Sequence, residues 1–287
     1  MVQLLERTAT LDVGPGTTAR GGKAVPERLL PYRASFQQLA TWRRVGSVLL
    51  YAISALSVII PLTEAHHFHG RYVATALSAV SFLNFFLIIT YYIINVVTET
   101  FIYPAAARLR RVGFVDNSLG SKFLGQDVIG YFTSDPIPVG PYKLIVNCFE
   151  NCYFTYNIAR AMTIRIVSKN ALLAAAFLTI AYFGIRKSSI GLPILQILLS
   201  SVFITELIHH LNFITKLRGL LDRFKGLFAD GKKAIRGGGT LPNAILMLLE
   251  YETTLAFNKS PLSDKIYRRL SDRLSKEWEE LKSYYAI

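Results

Sequence analysis

The chain has 287 residues, is 52% apolar and carries a formal net charge of +13, yet its mean hydropathy is positive at +0.34. Charge and apolar residues must therefore be segregated along the sequence, which argues against a soluble domain patterned in periodic stripes and for a membrane protein. The basic excess comes without interleaved aromatics or a recognisable nucleic-acid module, so neither DNA nor RNA is an expected partner.

Residues 1–28, rich in Gly, Pro and Thr around DVGPGTTARGGKAVPE, read as a flexible cytoplasmic tail. Arg7, Arg20, Lys23 and Arg28 are scattered with no long apolar run beside them, a pattern that does not fit a signal peptide. Residues 29–103 predict an amphipathic lead-in helix and a first transmembrane hairpin, with uncharged spans at about 45–63 and 72–98. Trp42, Arg43 and Arg44 form an interfacial anchor before the first span, and Tyr91, Tyr92 and Tyr103 mark the inner end of the second. Only EAHHFHGR separates the two, so they must be antiparallel neighbours. The histidines 66, 67 and 69 of that loop could bind metal or sense pH, but a wet polar loop explains them more simply.

Residues 104–168 predict a cytoplasmic section. It begins as a short basic helix, breaks into turns after Gly113, and becomes helical again from Tyr142, with Pro141 suited to a first turn. Phe114, Phe123, Leu124, Tyr131 and Phe132 are available to bury there. Cys148 and Cys152, on the cytoplasmic side at spacing i,i+4, read as packing residues rather than a bridge or a metal pair. A second hairpin follows at 169–206, with spans at about 168–185 and 188–206. Residues 207–287 read as cytoplasmic helices: a basic continuation of the fourth span, a linker at 231–240, an amphipathic helix, and a charged last helix with Ser263 as its N-cap.

Of the 32 Lys and Arg residues, 7 precede the first span, 8 lie between the second and third, and 14 follow the fourth, against 1 and 2 in the short loops. The positive-inside rule then puts both termini and the middle section in the cytoplasm. The expected fold class is all-α: an integral membrane protein with four transmembrane helices in two hairpins and cytoplasmic helical extensions.

Two constellations could carry function. Glu206, His209 and His210 form an E-x-x-H-H cluster, and Glu and His at i,i+3 is the pairing that di-iron bundles use. Such bundles need a second E-x-x-H motif, and none is present. The cluster therefore reads as one polar inter-helix network with Asn147, Glu150 and Asn151, and no metal or cofactor is expected. The second constellation is a basic face of Arg108, Arg110, Arg111, Arg218 and Arg223, with Lys216 nearby, which could attract an anionic signal or simply obey the positive-inside rule against anionic lipid. No P-loop, G-x-S-x-G or H-E-x-x-H occurs, and the spans hold essentially no ionisable group. An enzyme and a proton-coupled transporter are both disfavoured, and a pore made by oligomerisation stays open.

Three passages, AARLRRVGFVDNSLG, NCFENCYFTYNIARAM and LEYETTLAFNKSPLSDKIYRRL, resemble the SMODS-associated four-transmembrane effector family of bacterial membrane proteins. The resemblance covers residues from about 35 to the end, with one departure: Gly125 and Gln126 stand where the family has Pro-Trp. It implies an antiphage-defence effector of the bacterial inner membrane that responds to a nucleotide second messenger. On that signal its spans assemble as a homo-oligomer and disrupt the lipid bilayer. The rival readings from the residues alone are a constitutive small ion channel or transporter subunit and a membrane scaffold.

Overall fold

A computed structural model describes residues 32–65, 71–126, 132–184, 202–229, 241–258 and 262–287. Among them every regular element is a helix: α1 (Arg33–Ala65), α2 (Arg71–Val97), a π-helical turn (Thr98–Ile102), α3 (Tyr103–Leu119), α4 (Pro141–Gly184), α5 (Val202–Ala229), α6 (Leu241–Asn258) and α7 (Asp264–Tyr284). The N-terminal tail, the histidine loop, most of the fourth expected span and the 231–240 linker lie outside the described residues.

The chain divides into two compact units that do not follow its order: Ala34–Arg108 with Leu172–Ser201, and Met1–Arg33 with Leu109–Ala171 and Val202–Ile287. Helices α3 and α4 each contribute residues to both.

The first of these units contains the α1–α2 hairpin. Gly46 on α1 lies within 4.0 Å of Tyr91 and Ile94 near the end of α2, where a methyl group would make ordinary contact. Arg43 bonds Glu99 at 2.9 Å and lies over the Tyr103 ring at 5.3 Å. The start of α1 is thus fastened to the end of α2, as an antiparallel pair requires. Through the π-helical turn α2 and α3 form one helix from Tyr72 to Leu119, and among the described residues this is the one helix long and apolar enough to cross a membrane. No residue of its apolar window is buried. Phe82, Phe85, Phe86, Ile88 and Ile93 all stand exposed, too many and too evenly spread for a single core-facing stripe.

The other unit has a conventional core. Phe149 of α4 is its centre: it stacks on Phe224 and Phe228 of α5 at 5.6 and 5.2 Å and meets Trp278 of α7 edge-on at 5.0 Å. Phe149, Phe224 and Trp278 are completely buried. Cys152 lies against the Leu217 carbonyl of α5 at 3.6 Å, and Thr163 lies against His210 at 3.4 Å. Residue numbers rise on α4 as they fall on α5, so the two helices run antiparallel. Ser263 does take the N-cap position of α7, but its side chain makes no capping bond.

One expectation needs correction. The chain does not break after Gly113: α3 continues to Leu119 and ends at Gly120, whose φ of 73° is the left-handed conformation that terminates helices. Gly113 is there for close approach. A Cβ on it would come within 2.8 Å of the Tyr32 ring and 3.1 Å of Leu124.

The turn after Gly120 hangs on Asp116, whose carboxylate accepts bonds from the Ser121 hydroxyl at 2.6 Å and the amides of Phe123 and Leu124 at 3.0 and 2.8 Å. Burial pushes the Asp116 carboxyl upward, but the bonds from Ser121, Leu124 and Phe123 outweigh it and hold the group below the usual range. Asp116→Ala is expected to cost about 2 kcal/mol, since it strands donors that water reaches only in part. The stability due to this group is present above the ordinary aspartate pKa and falls away as pH drops through the lowered one. A denaturation midpoint for Asp116→Ala equal to wild type at pH 7 would refute this role.

Candidate functional site

Among the described residues the expected polar network does not form as one cluster. Asn147 bonds Asn117 at 3.0 Å and Ser118 at 2.9 Å and accepts from the Ser134 hydroxyl, tying α4 to the end of α3 and to the 132–140 turn. Glu150 accepts from the Thr133 amide at 3.3 Å and its hydroxyl at 3.0 Å. His210 meets Thr163 instead, and thirteen residues of α4 separate Thr163 from Glu150, about 20 Å of helix. That rise is why residues on facing helices cannot join into one network here. His209 is exposed with its ring 6.4 Å from Phe257 of α6, and the Glu206 side chain lies outside the described residues. Asn151 is buried, and its amide nitrogen has no hydrogen-bond partner among the described residues.

Around Glu150 the α4 surface, the 132–140 turn and α7 converge on Thr133. The Thr133 hydroxyl donates to Glu150 while accepting from the Trp278 indole at 2.9 Å and the Lys282 ammonium at 3.3 Å. Burial raises the Glu150 carboxyl to about 7, against the opposing pull of the Thr133 bonds and the Lys282 charge. The thiols of Cys148 and Cys152 are likewise pushed up by burial, which leaves them protonated packing groups.

The five arginines of the expected basic face are also scattered. Arg110 is buried, ion-paired with Glu252 of α6, and so is not available to a ligand. Arg223 is half exposed and paired with Glu250. Arg108 is exposed and Arg111 half-buried, each on α3. Charge counting along the sequence cannot distinguish these from free cations, because their carboxylate partners lie 142 and 27 residues away.

Arg218 has a different setting. It lines an open cleft of about 830 Å³ between α4 and α5. Arg160 of α4 and Lys225 of α5 share the lining, and so do Tyr153, Tyr156 and Asn157. The sequence reading missed Arg160 and Lys225. The available signal was their recurrence with Tyr153, Tyr156 and Asn157 at i,i+3,i+4,i+7 on α4, and with Arg218 at i+7 on α5, which puts each set on one helix face. Asp222 is the one acidic residue in the lining, so the cleft keeps a positive excess. None of Arg160, Arg218 and Lys225 makes an ion pair among the described residues.

No known protein family, curated protein or solved structure matches this chain.

Proposed function

We propose that this chain is a membrane effector of the bacterial inner membrane, with four spans in two hairpins and both termini in the cytoplasm. On a cytoplasmic signal it assembles as a homo-oligomer and disrupts the bilayer, in the manner of the antiphage effectors its sequence resembles. The observation that carries the reading is the contrast between the two units. One has an ordinary core with buried aromatics and a buried ion pair. The other presents a long apolar helix with none of its apolar window buried. In water that surface would drive aggregation, whereas in hydrocarbon it needs no cover and its backbone is satisfied within the helix. The charge asymmetry of 29 basic residues against 3 supports the orientation. The unpaired cations of the α4–α5 cleft support receipt of an anionic signal.

The test is membrane potential and viability in bacteria expressing the chain alone, and then with a cyclic-nucleotide synthase. Depolarisation and death only with the synthase are expected. Depolarisation without it would establish an autonomous channel instead, and no depolarisation in either case would leave a scaffold.

A further inference from the structure

We infer that the cleft between α4 and α5 is a binding site for a small ligand that carries two or more phosphate groups on an uncharged body. Arg160, Arg218 and Lys225 are its anion-binding residues. The cleft volume of about 830 Å³ is that of a small-molecule site.

Its chemistry is divided in the way such a ligand requires. Lys225 and Arg218 stand seven residues apart on α5, about 10 Å along the helix. Arg160 enters from the opposite wall, one turn before Thr163 and so toward the His210 end, because Thr163 faces His210. The cations are thus distributed along the cleft. A single compact anion could reach only part of them, and a ligand with separated charges can satisfy all three. Two of the three are arginines, whose planar forks match phosphate oxygens bidentately.

Between the cations the lining is apolar and aromatic: Tyr156, Ile214 and Leu221 offer surface for a flat or hydrocarbon body. The Tyr156 hydroxyl makes no hydrogen bond among the described residues. The Asn157 amide nitrogen donates to the Tyr153 carbonyl one turn earlier on α4. Tyr153 is held by a 2.7 Å bond to Glu277 of α7, so this wall of the cleft is positioned by the last helix. Cations left unpaired on a folded surface lose nothing in water, but three spaced along one concave cleft with a single acid gain most from a ligand with separated anionic groups.

The phosphates could belong to a soluble metabolite or to lipid headgroups. The inference names the chemistry of the signal for the proposed effector and rests on that reading for its role. The binding itself is measured without toxicity. Full-length protein in zwitterionic detergent is titrated calorimetrically with orthophosphate, fructose 1,6-bisphosphate and citrate. Nanodiscs of phosphatidylcholine with or without cardiolipin, which carries two phosphates on one lipid, form the lipid arm, read as a shift in unfolding temperature. Expected is saturable binding of the bisphosphate, tighter than that of orthophosphate and weakened tenfold or more by Arg218→Gln and by Arg160→Gln. Arg223→Gln, outside the cleft and paired with Glu250, should be unchanged. An Arg218- and Arg160-dependent shift only with cardiolipin supports the same chemistry with lipid as its source. Three outcomes overturn the inference: no phosphate probe and no lipid responds to these residues, Arg223→Gln weakens binding as much as Arg218→Gln, or citrate binds as tightly as the phosphates. Binding in the cleft by a protein that never depolarises a cell would sink the effector reading and leave the site standing.

Discussion

Glu252→Ala is expected to lower the unfolding free energy of the aromatic-core unit by about 3–5 kcal/mol, the usual cost of leaving a buried charge without its partner. Arg110 has a side chain only 7% exposed and Glu252 one only 15% exposed, and the pair ties α3 to α6 across 142 residues of sequence. The Arg110 charge bears on the Tyr251 hydroxyl and the Cys148 thiol, both pushed up by burial and therefore neutral. Removing the acid takes this carboxylate from a largely buried cation. Replacing both residues by methionine removes the charge together with the need for its partner, and such doubles are often close to neutral. Arg110→Met with Glu252→Met should therefore recover most of the loss. Denaturant unfolding of wild type, single and double variants in the same detergent checks this. A double variant no better than the single one would show that the pair contributes by packing rather than by charge.

The second large effect is a pH dependence at Glu150. Its carboxyl titrates at about 7 in the folded protein against 4.5 ordinarily, a gap worth about 3 kcal/mol. Because the folded value is the higher one, the folded state binds the proton more tightly. The stability this group contributes is complete below about pH 4.5 and is lost as pH rises through 7. Above pH 7 the ionised carboxylate stays buried, supported by the Thr133 bonds and by the Lys282 charge on the far side of the Thr133 hydroxyl. The 132–140 turn and α7, which meet at Thr133, should be the part that loosens. Glu150→Gln keeps an oxygen to accept from Thr133 and has no proton to lose. It should match wild type near pH 5 and exceed it by up to about 3 kcal/mol at pH 8. Hydrogen exchange in α7 at the two pH values locates the effect. Equal pH profiles for the two proteins would mean that Glu150 is better hydrated than its burial suggests.

Gly113 reads locally as a break because glycine is conformationally free, but in the fold it admits the Tyr32 ring to a helix that continues. Tyr32 lies 81 positions before it, and nothing local reports such a contact. Glu206, His209 and His210 looked like partners for Asn147 and Glu150 because all five fall on helices read as neighbours. Antiparallel helices pair by level, however, and the level of His210 is that of Thr163. Arg110 and Arg223 counted as free cations until α6 supplied Glu252 and Glu250.

What the sequence by itself determined were properties that depend on near neighbours along the chain. The helical class, the long apolar stretch after residue 72, the segregation of 29 basic residues from 3, and the helices at 241–258 and 264–284 follow from composition and period. Only the tertiary structure decided which cations are neutralised, which carboxylate is buried beside Thr133, and that Arg160, Arg218 and Lys225 face one cleft. Those depend on the register of α4 against α5 and on α6 and α7 closing over α3 and α4. Register is set by the packing of Phe149, Phe224, Phe228 and Trp278, side chains spread over 129 residues, and no local pattern encodes how such rings stack.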